Sequence, residues 1–199
     1  MTVSQVTGFL LAFLAGMMVY WLAVGMPASL TEEEGPIEVW SCSVLFIAAA
    51  ASPLLIPPGQ WLRYLYLPFS FFQLGAREFP GDLWIFDERV LTESFYRDQG
   101  LSLAAFVGAI YGAVALWSLF AALRWGVPCL WNGLRDGRRW AGFLALASGA
   151  VVVALGTEAV LKAGLAGADW RYGLHLLEEG AEAVFALALF LALYSAWRS

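Results

Sequence analysis

Four residues near the C-terminal end, His175, Glu178, Glu179 and Glu182, stand at spacings of three, four and seven from the histidine. On a helix those spacings share one broad face. An imidazole grouped with carboxylates is half of a site for a hard divalent metal ion, and a second helix offering Glu158 or Glu38 would complete the shell. A divalent metal ion is therefore the cofactor this pattern points to. The same residues also have a plainer use. Acidic side chains are favoured in the first turn of a helix by the backbone dipole, so Glu178 and Glu179 would serve there facing headgroups, without a metal. Glu182 lies about two turns in, beyond the dipole's main reach, and calls for a buried polar role.

Five further charged residues belong to the same problem: Glu38, Arg77, Glu78, Glu158 and Lys162. Glu158 sits in the apolar run 151–162 with Lys162 four residues on, the spacing of a self-neutralising helix pair. The alternative is that it faces the last helix and shares a proton or cation with Glu182. Glu38 opens one apolar run and Arg77-Glu78 closes another. The group is thus either a polar site or a structural ion network at the ends of several helices.

The elements that must hold these residues are set by composition. With 61% hydrophobic residues, 16% aromatic and only 14% charged, the chain is far more apolar than a soluble domain, in which about 45–50% is usual. Apolar runs cover 8–27, 36–56, 61–79, 101–123, 140–165 and 174–197. The expected fold is all-α, a polytopic membrane helix bundle of six transmembrane helices, with 1–199 forming a single transmembrane domain. Five spans plus an interfacial segment is the alternative, because the third run is aromatic and carries Arg63, Pro68, Gln73 and Arg77. The first run has no Lys or Arg ahead of it and is longer than a signal-peptide core, so retention as a helix is favoured over cleavage near 23–25.

Six spans sort the charges by side. Of the sixteen acidic residues, all but Asp136 fall on one side. The other side holds Arg63, Arg124, Arg135, Arg138, Arg139 and Arg198, and the short loop carrying Arg135, Arg138 and Arg139 makes it cytoplasmic by the positive-inside rule. Both termini are then cytoplasmic, and the carboxylates gather on the non-cytoplasmic side of a bacterial inner membrane. The loop at 80–100 lies on that side too. Its residues Trp84, Leu91 and Phe95 share a helical face, which suits an interfacial helix that caps the bundle. Gly108-x-x-x-Gly112 has the spacing that lets helices approach closely, and such small-residue faces are where other membrane subunits would dock. Membrane lipid is the remaining partner; no basic patch of useful size supports nucleic acid binding.

Several chemistries are excluded by residue type. One histidine cannot supply bis-imidazole haem ligation or the HExxH pair of a zinc protease. There is no Gly-x-Ser-x-Gly and no phosphate-cradling glycine loop. Cys42 and Cys129 fall at different depths and have no CxxC neighbour, so neither a disulfide nor a redox motif is expected.

The stretch Glu33-Glu34-Gly35-Pro36-Ile37-Glu38-Val39-Trp40, followed by Arg77-Glu78 and by Leu177-Glu178-Glu179, resembles a loosely defined group of uncharacterised bacterial multi-pass membrane proteins with acidic motifs at the outer helix ends. Three short patches carry the resemblance. The chain lacks the Glu-Glu-Ile-Ser-Trp-Gly stretch associated with some members. The resemblance implies membrane location and a shared polar site, and no activity. Three functions then compete: a non-enzymatic membrane subunit or cation-binding factor, a small proton-coupled or cation-coupled transporter, and a metal-dependent enzyme acting on lipid-linked substrates.

Overall fold

Glycine and proline set the first well-defined helix start. Gly35 is extended (φ −67°, ψ 168°) and Pro36 takes the first helical position of α2 (Pro36–Ala51), where its missing N–H leaves no bond unmade and its fixed φ suits the helix. The computed structural model describes residues 2–23, 35–56, 59–79, 89–165 and 167–198, without the side chains of Trp21, Leu55, Glu78, Ala168 and Asp169. Before α2 runs α1 (Val3–Ala23), and a 3-10 turn (Ser52–Leu55) follows it. Then come α3 (Trp61–Tyr64), α4 (Tyr66–Glu78), α5 (Glu93–Gln99), α6 (Leu103–Ala121), a π turn (Ala122–Gly126), α7 (Val127–Arg135), α8 (Arg139–Lys162) and α9 (Ala168–Arg198). No strand occurs among the described residues.

Four segments among the described residues are long and apolar enough to cross a membrane: Val3–Tyr20, Pro36–Leu54, Leu103–Arg135 and Arg139–Lys162. The chain is all-α and membrane-embedded. The 31-residue α9 is charge-free over 183–197. The third apolar run divides at Leu65, between α3 and α4. The reason lies three residues further on, because Pro68 cannot donate to the carbonyl of Tyr64 and α4 restarts so that Pro68 falls in its first turn.

The fourth run was expected to stop at Leu123, yet its helix continues to Arg135. Pro128 has no N–H to offer the carbonyl of Arg124, and its ring would press on that carbonyl. The π turn absorbs both problems by widening the helix, with Val127 N–H bonding back to Ala122 O. Gly126 gives Tyr66 room there: a Cβ at Gly126 would sit 3.2 Å from the Tyr66 hydroxyl oxygen.

Helix neighbours run in the order α8, α9, α2, α4, α6, with α1 lying against both α2 and α9. The core lies where α1, α2, α4 and α9 meet, around Leu10, Trp40, Val44, Ala48, Phe71 and Ala186. Trp40 is almost fully buried, and its indole N–H donates to the carbonyl of Leu10 at 3.0 Å, tying α2 to the middle of α1. Along the packed pair α8 and α9 most buried positions are alanines, among them Ala147, Ala150 and Ala154 on α8 and Ala181, Ala188 and Ala192 on α9. Small side chains let two backbones approach closely without a hydrophobic driving force in lipid. Hydroxyls in the apolar runs bond within their own helix, as Ser41 does to Ile37 O at 3.0 Å and Ser118 to Val114 O at 2.7 Å.

The Gly108-x-x-x-Gly112 face has a different partner from the one its spacing suggests. Phe95 of α5, fully buried, lies against Gly108, with Val90 and Tyr96 beside it. The described part of the 80–100 loop is therefore docked on α6, with its helix at Glu93–Gln99. The 83–88 part of the expected interfacial helix, with Trp84, lies outside the described residues.

Candidate functional site

Arg77, in the last turn of α4, and Glu182, about four turns into α9, face each other across the bundle, Nη2 to Oε1 at 3.6 Å. That separation is an ion pair and longer than a direct hydrogen bond. Glu182 is 22% exposed and Arg77 55%. The carboxylate is thus the more enclosed partner. The helix-to-helix geometry follows from local causes. Gly75 lets α4 close on α2, since a Cβ there would lie 3.2 Å from the Phe46 ring, and Cys42 Sγ donates to Gly75 O at 3.3 Å. Arg89 Nη1 then donates to the carbonyl of Arg77 at 3.2 Å, capping the end of α4 from the following segment.

Beside this pair lies a cavity of about 40 Å³ between α2, α4, α8 and α9, lined by Ser41, Leu74, Arg77, Ala154, Glu182 and Phe185 among others. A space of that size holds about one to three waters, or a small ion with a water, and no organic substrate. The hydroxyl proton of Ser41 is already donated to Ile37 O, so toward the cavity Ser41 offers acceptor lone pairs only.

The other expected site residues fall into separate local arrangements. Glu158 pairs with Lys162 on α8, through Oε1 and Nζ, as the i, i+4 spacing predicts. His175 Nδ1 lies 3.5 Å from Glu178 Oε2 within α9. Glu179 is half-buried on the same helix, and Glu38 is half-buried in the first turn of α2, where the dipole favours a carboxylate. The side chain of Glu78 and the acidic pair Glu33-Glu34 lie outside the described residues. Among the described residues no three His, Cys, Asp or Glu side chains come together in a way that would hold a metal ion. Of the four residues grouped by spacing, His175 and Glu178 meet each other, while Glu182 turns to Arg77. Helical spacing places side chains on a face but does not aim them at one point.

Sequence reasoning missed Ser41 and Phe185 as cavity walls, because a lone serine or phenylalanine in an apolar run carries no local signal. It also read the arginines at the opposite end only as a guide to orientation. A signal was available there in Arg124-Trp125 and Arg138-Arg139-Trp140, cations adjoining tryptophan at helix ends.

No family model, no curated protein and no solved structure matches this chain.

Proposed function

We propose that this chain is a non-enzymatic subunit or cation-binding factor of a bacterial inner membrane, crossing it six times with both termini cytoplasmic and its carboxylate-rich end on the non-cytoplasmic side. The observation that carries the reading is the pairing of Glu182 with Arg77 across the bundle: a largely enclosed carboxylate of the expected site serves to join α4 to α9. Glu158 is likewise neutralised by Lys162. In the six-span arrangement α9 is one additional crossing, and α3 with α4, about 27 Å long at 1.5 Å per residue, is the other; the five-span alternative lays that segment in the interface.

The surface supports a role in assembly. Only 11% of the span window on Val3–Tyr20, 11% on Leu103–Arg135 and 22% on Arg139–Lys162 is buried, so these helices present most of their surface outward. On α8, Gly142, Gly149 and Gly156 recur every seven residues, and a Cβ at any of them would meet nothing within 4 Å. Small-residue faces of this kind admit a second membrane protein. The proposed resemblance to bacterial multi-pass proteins agrees with this placement and adds no activity.

A second reading, a small proton-coupled or cation-coupled transporter, is favoured by the cavity beside Glu182 and by Gln73, whose buried amide nitrogen has no hydrogen-bond partner among the described residues. Among the described residues no ligand set favours the third, a metal-dependent enzyme. Reconstitution separates the first two. Proteoliposomes of wild type and Glu182→Gln, given an imposed proton or potassium gradient, are expected to show the same leak as empty vesicles. Flux in the wild type that disappears in Glu182→Gln would replace the subunit reading with the transporter.

A further inference from the structure

At the end of the bundle opposite the Arg77–Glu182 pair, a groove of about 410 Å³ lies among Arg63 of α3, Arg124 and Trp125 of the π turn, Asn132 of α7, and Arg138 and Trp140 at the start of α8. One acid, Asp136, is on its rim. A second groove, about 470 Å³, shares Arg138 and Trp140 and adds Arg139 and Arg198 with no acid. The basic residues of the two ends are treated differently by the fold. Arg77, Arg97 and Lys162 each have a carboxylate within 4 Å. None of Arg63, Arg124, Arg138, Arg139 and Arg198 has one among the described residues. Arg63 is instead held over the ring of Tyr64, 5.5 Å from its centroid, which limits its rotamers and leaves the guanidinium's charge uncompensated.

From this geometry we infer that the 410 Å³ groove binds the phosphate of an anionic phospholipid. A planar guanidinium matches a phosphate with two parallel N–H bonds, and three of them around one groove supply more donors than any neutral ligand would use. The N-terminus of the 24-residue α8 adds the positive end of its dipole beside Arg138, so an anion there offsets cations that the dipole disfavours. The choice of a lipid over a free anion rests on the apolar surroundings. Trp125, Pro128 and Trp140 line the groove, and the neighbouring Leu62, Leu123 and Val127 are exposed, a surface suited to glycerol and acyl chains. The inference needs only that the chain be membrane-embedded, and it stands apart from the subunit reading. A purely topogenic role for these arginines would need their charge and no groove.

The test is thermal melting of the detergent-purified full chain titrated with phosphatidylglycerol, phosphatidylcholine or inorganic phosphate. Phosphatidylglycerol is expected to raise the melting temperature where phosphatidylcholine does not. Each of Arg124→Ala and Arg138→Ala should weaken that binding about fivefold, from roughly 1 kcal/mol per basic residue near an anionic lipid. Arg124→Lys and Arg138→Lys keep the charge and lose the bidentate grip, so they should weaken it measurably, whereas Arg97→Ala at the other end should leave it unchanged. Should one alanine variant fail to fold, the other and the lysine pair still give the comparison. Equal stabilisation by phosphatidylcholine, or phosphatidylglycerol binding untouched by all four substitutions, overturns the proposal. Inorganic phosphate acting as well as phosphatidylglycerol overturns the lipid assignment and makes the groove a site for a soluble phosphate.

Discussion

Arg77 and Glu182 join the last turn of α4 to α9, 3.6 Å apart, although 104 residues lie between them in sequence. Glu182 shares its helix face with other carboxylates, and the approach of α4 brings a cation to it. Their exchange is therefore informative. Arg77→Glu or Glu182→Arg alone sets like charges together and should lower stability by about 1 kcal/mol, kept small because Arg77 is more than half exposed. The double exchange should recover most of the lost melting temperature. Additive losses in the double variant would show that the pair contributes nothing to joining the helices.

Gly108 and Gly112 should respond unequally to alanine, despite belonging to one motif. A Cβ at Gly108 would fall 2.9 Å from the Phe95 ring and 3.0 Å from Val90, whereas at Gly112 the nearest atom, on Leu91, is 3.5 Å away. Gly108→Ala is expected to displace α5 from α6 at a cost of about 1–3 kcal/mol, the range for overpacking a close-fitting site. Limited trypsin digestion reads this as faster cleavage after Arg89 or Arg97. Gly112→Ala should be cleaved like the wild type.

A similar contrast separates the hairpin between α7 and α8 from the outer face of α8. Gly133→Ala would put a Cβ 2.6 Å from the Trp140 ring and 3.0 Å from Ala141, so it should destabilise in spite of the gain in helix propensity. Gly149→Ala meets nothing within 4 Å and should raise stability by up to about 1 kcal/mol through that same propensity. Melting of the two variants side by side checks the pair of signs.

The two cysteines report burial and orientation together. Cys42 is buried with its thiol bonded to Gly75 O, and Cys129 is exposed on α7 near the arginine-lined groove. Maleimide labelling of the purified chain should modify Cys129 quickly and Cys42 only on unfolding. In sealed right-side-out vesicles an impermeant maleimide should leave Cys129 untouched until the membrane is opened, if that end is cytoplasmic. Immediate labelling would reverse the proposed orientation.

Much of this molecule was legible in the sequence because lipid solubility and backbone hydrogen bonding are local demands. Apolar composition dictated helices in a membrane, Gly35-Pro36 dictated where α2 begins, and a glutamate four residues before a lysine dictated the Glu158–Lys162 pair. Other features depended on which helix lies beside which. Helical spacing put His175, Glu178, Glu179 and Glu182 near one another on a single element, but only the approach of α4 turned Glu182 toward Arg77 instead of toward a shared metal. The glycine motif on α6 announced a close contact and could not say that Phe95 would make it. The continuation of the α6 helix through Pro128 required a π turn, and only the packed structure shows that Gly126 within it leaves room for Tyr66. The arginines of the opposite end follow the same rule: their charge is written in the sequence, while the groove among Arg63, Arg124 and Arg138 exists only because α3, the π turn and the start of α8 converge there.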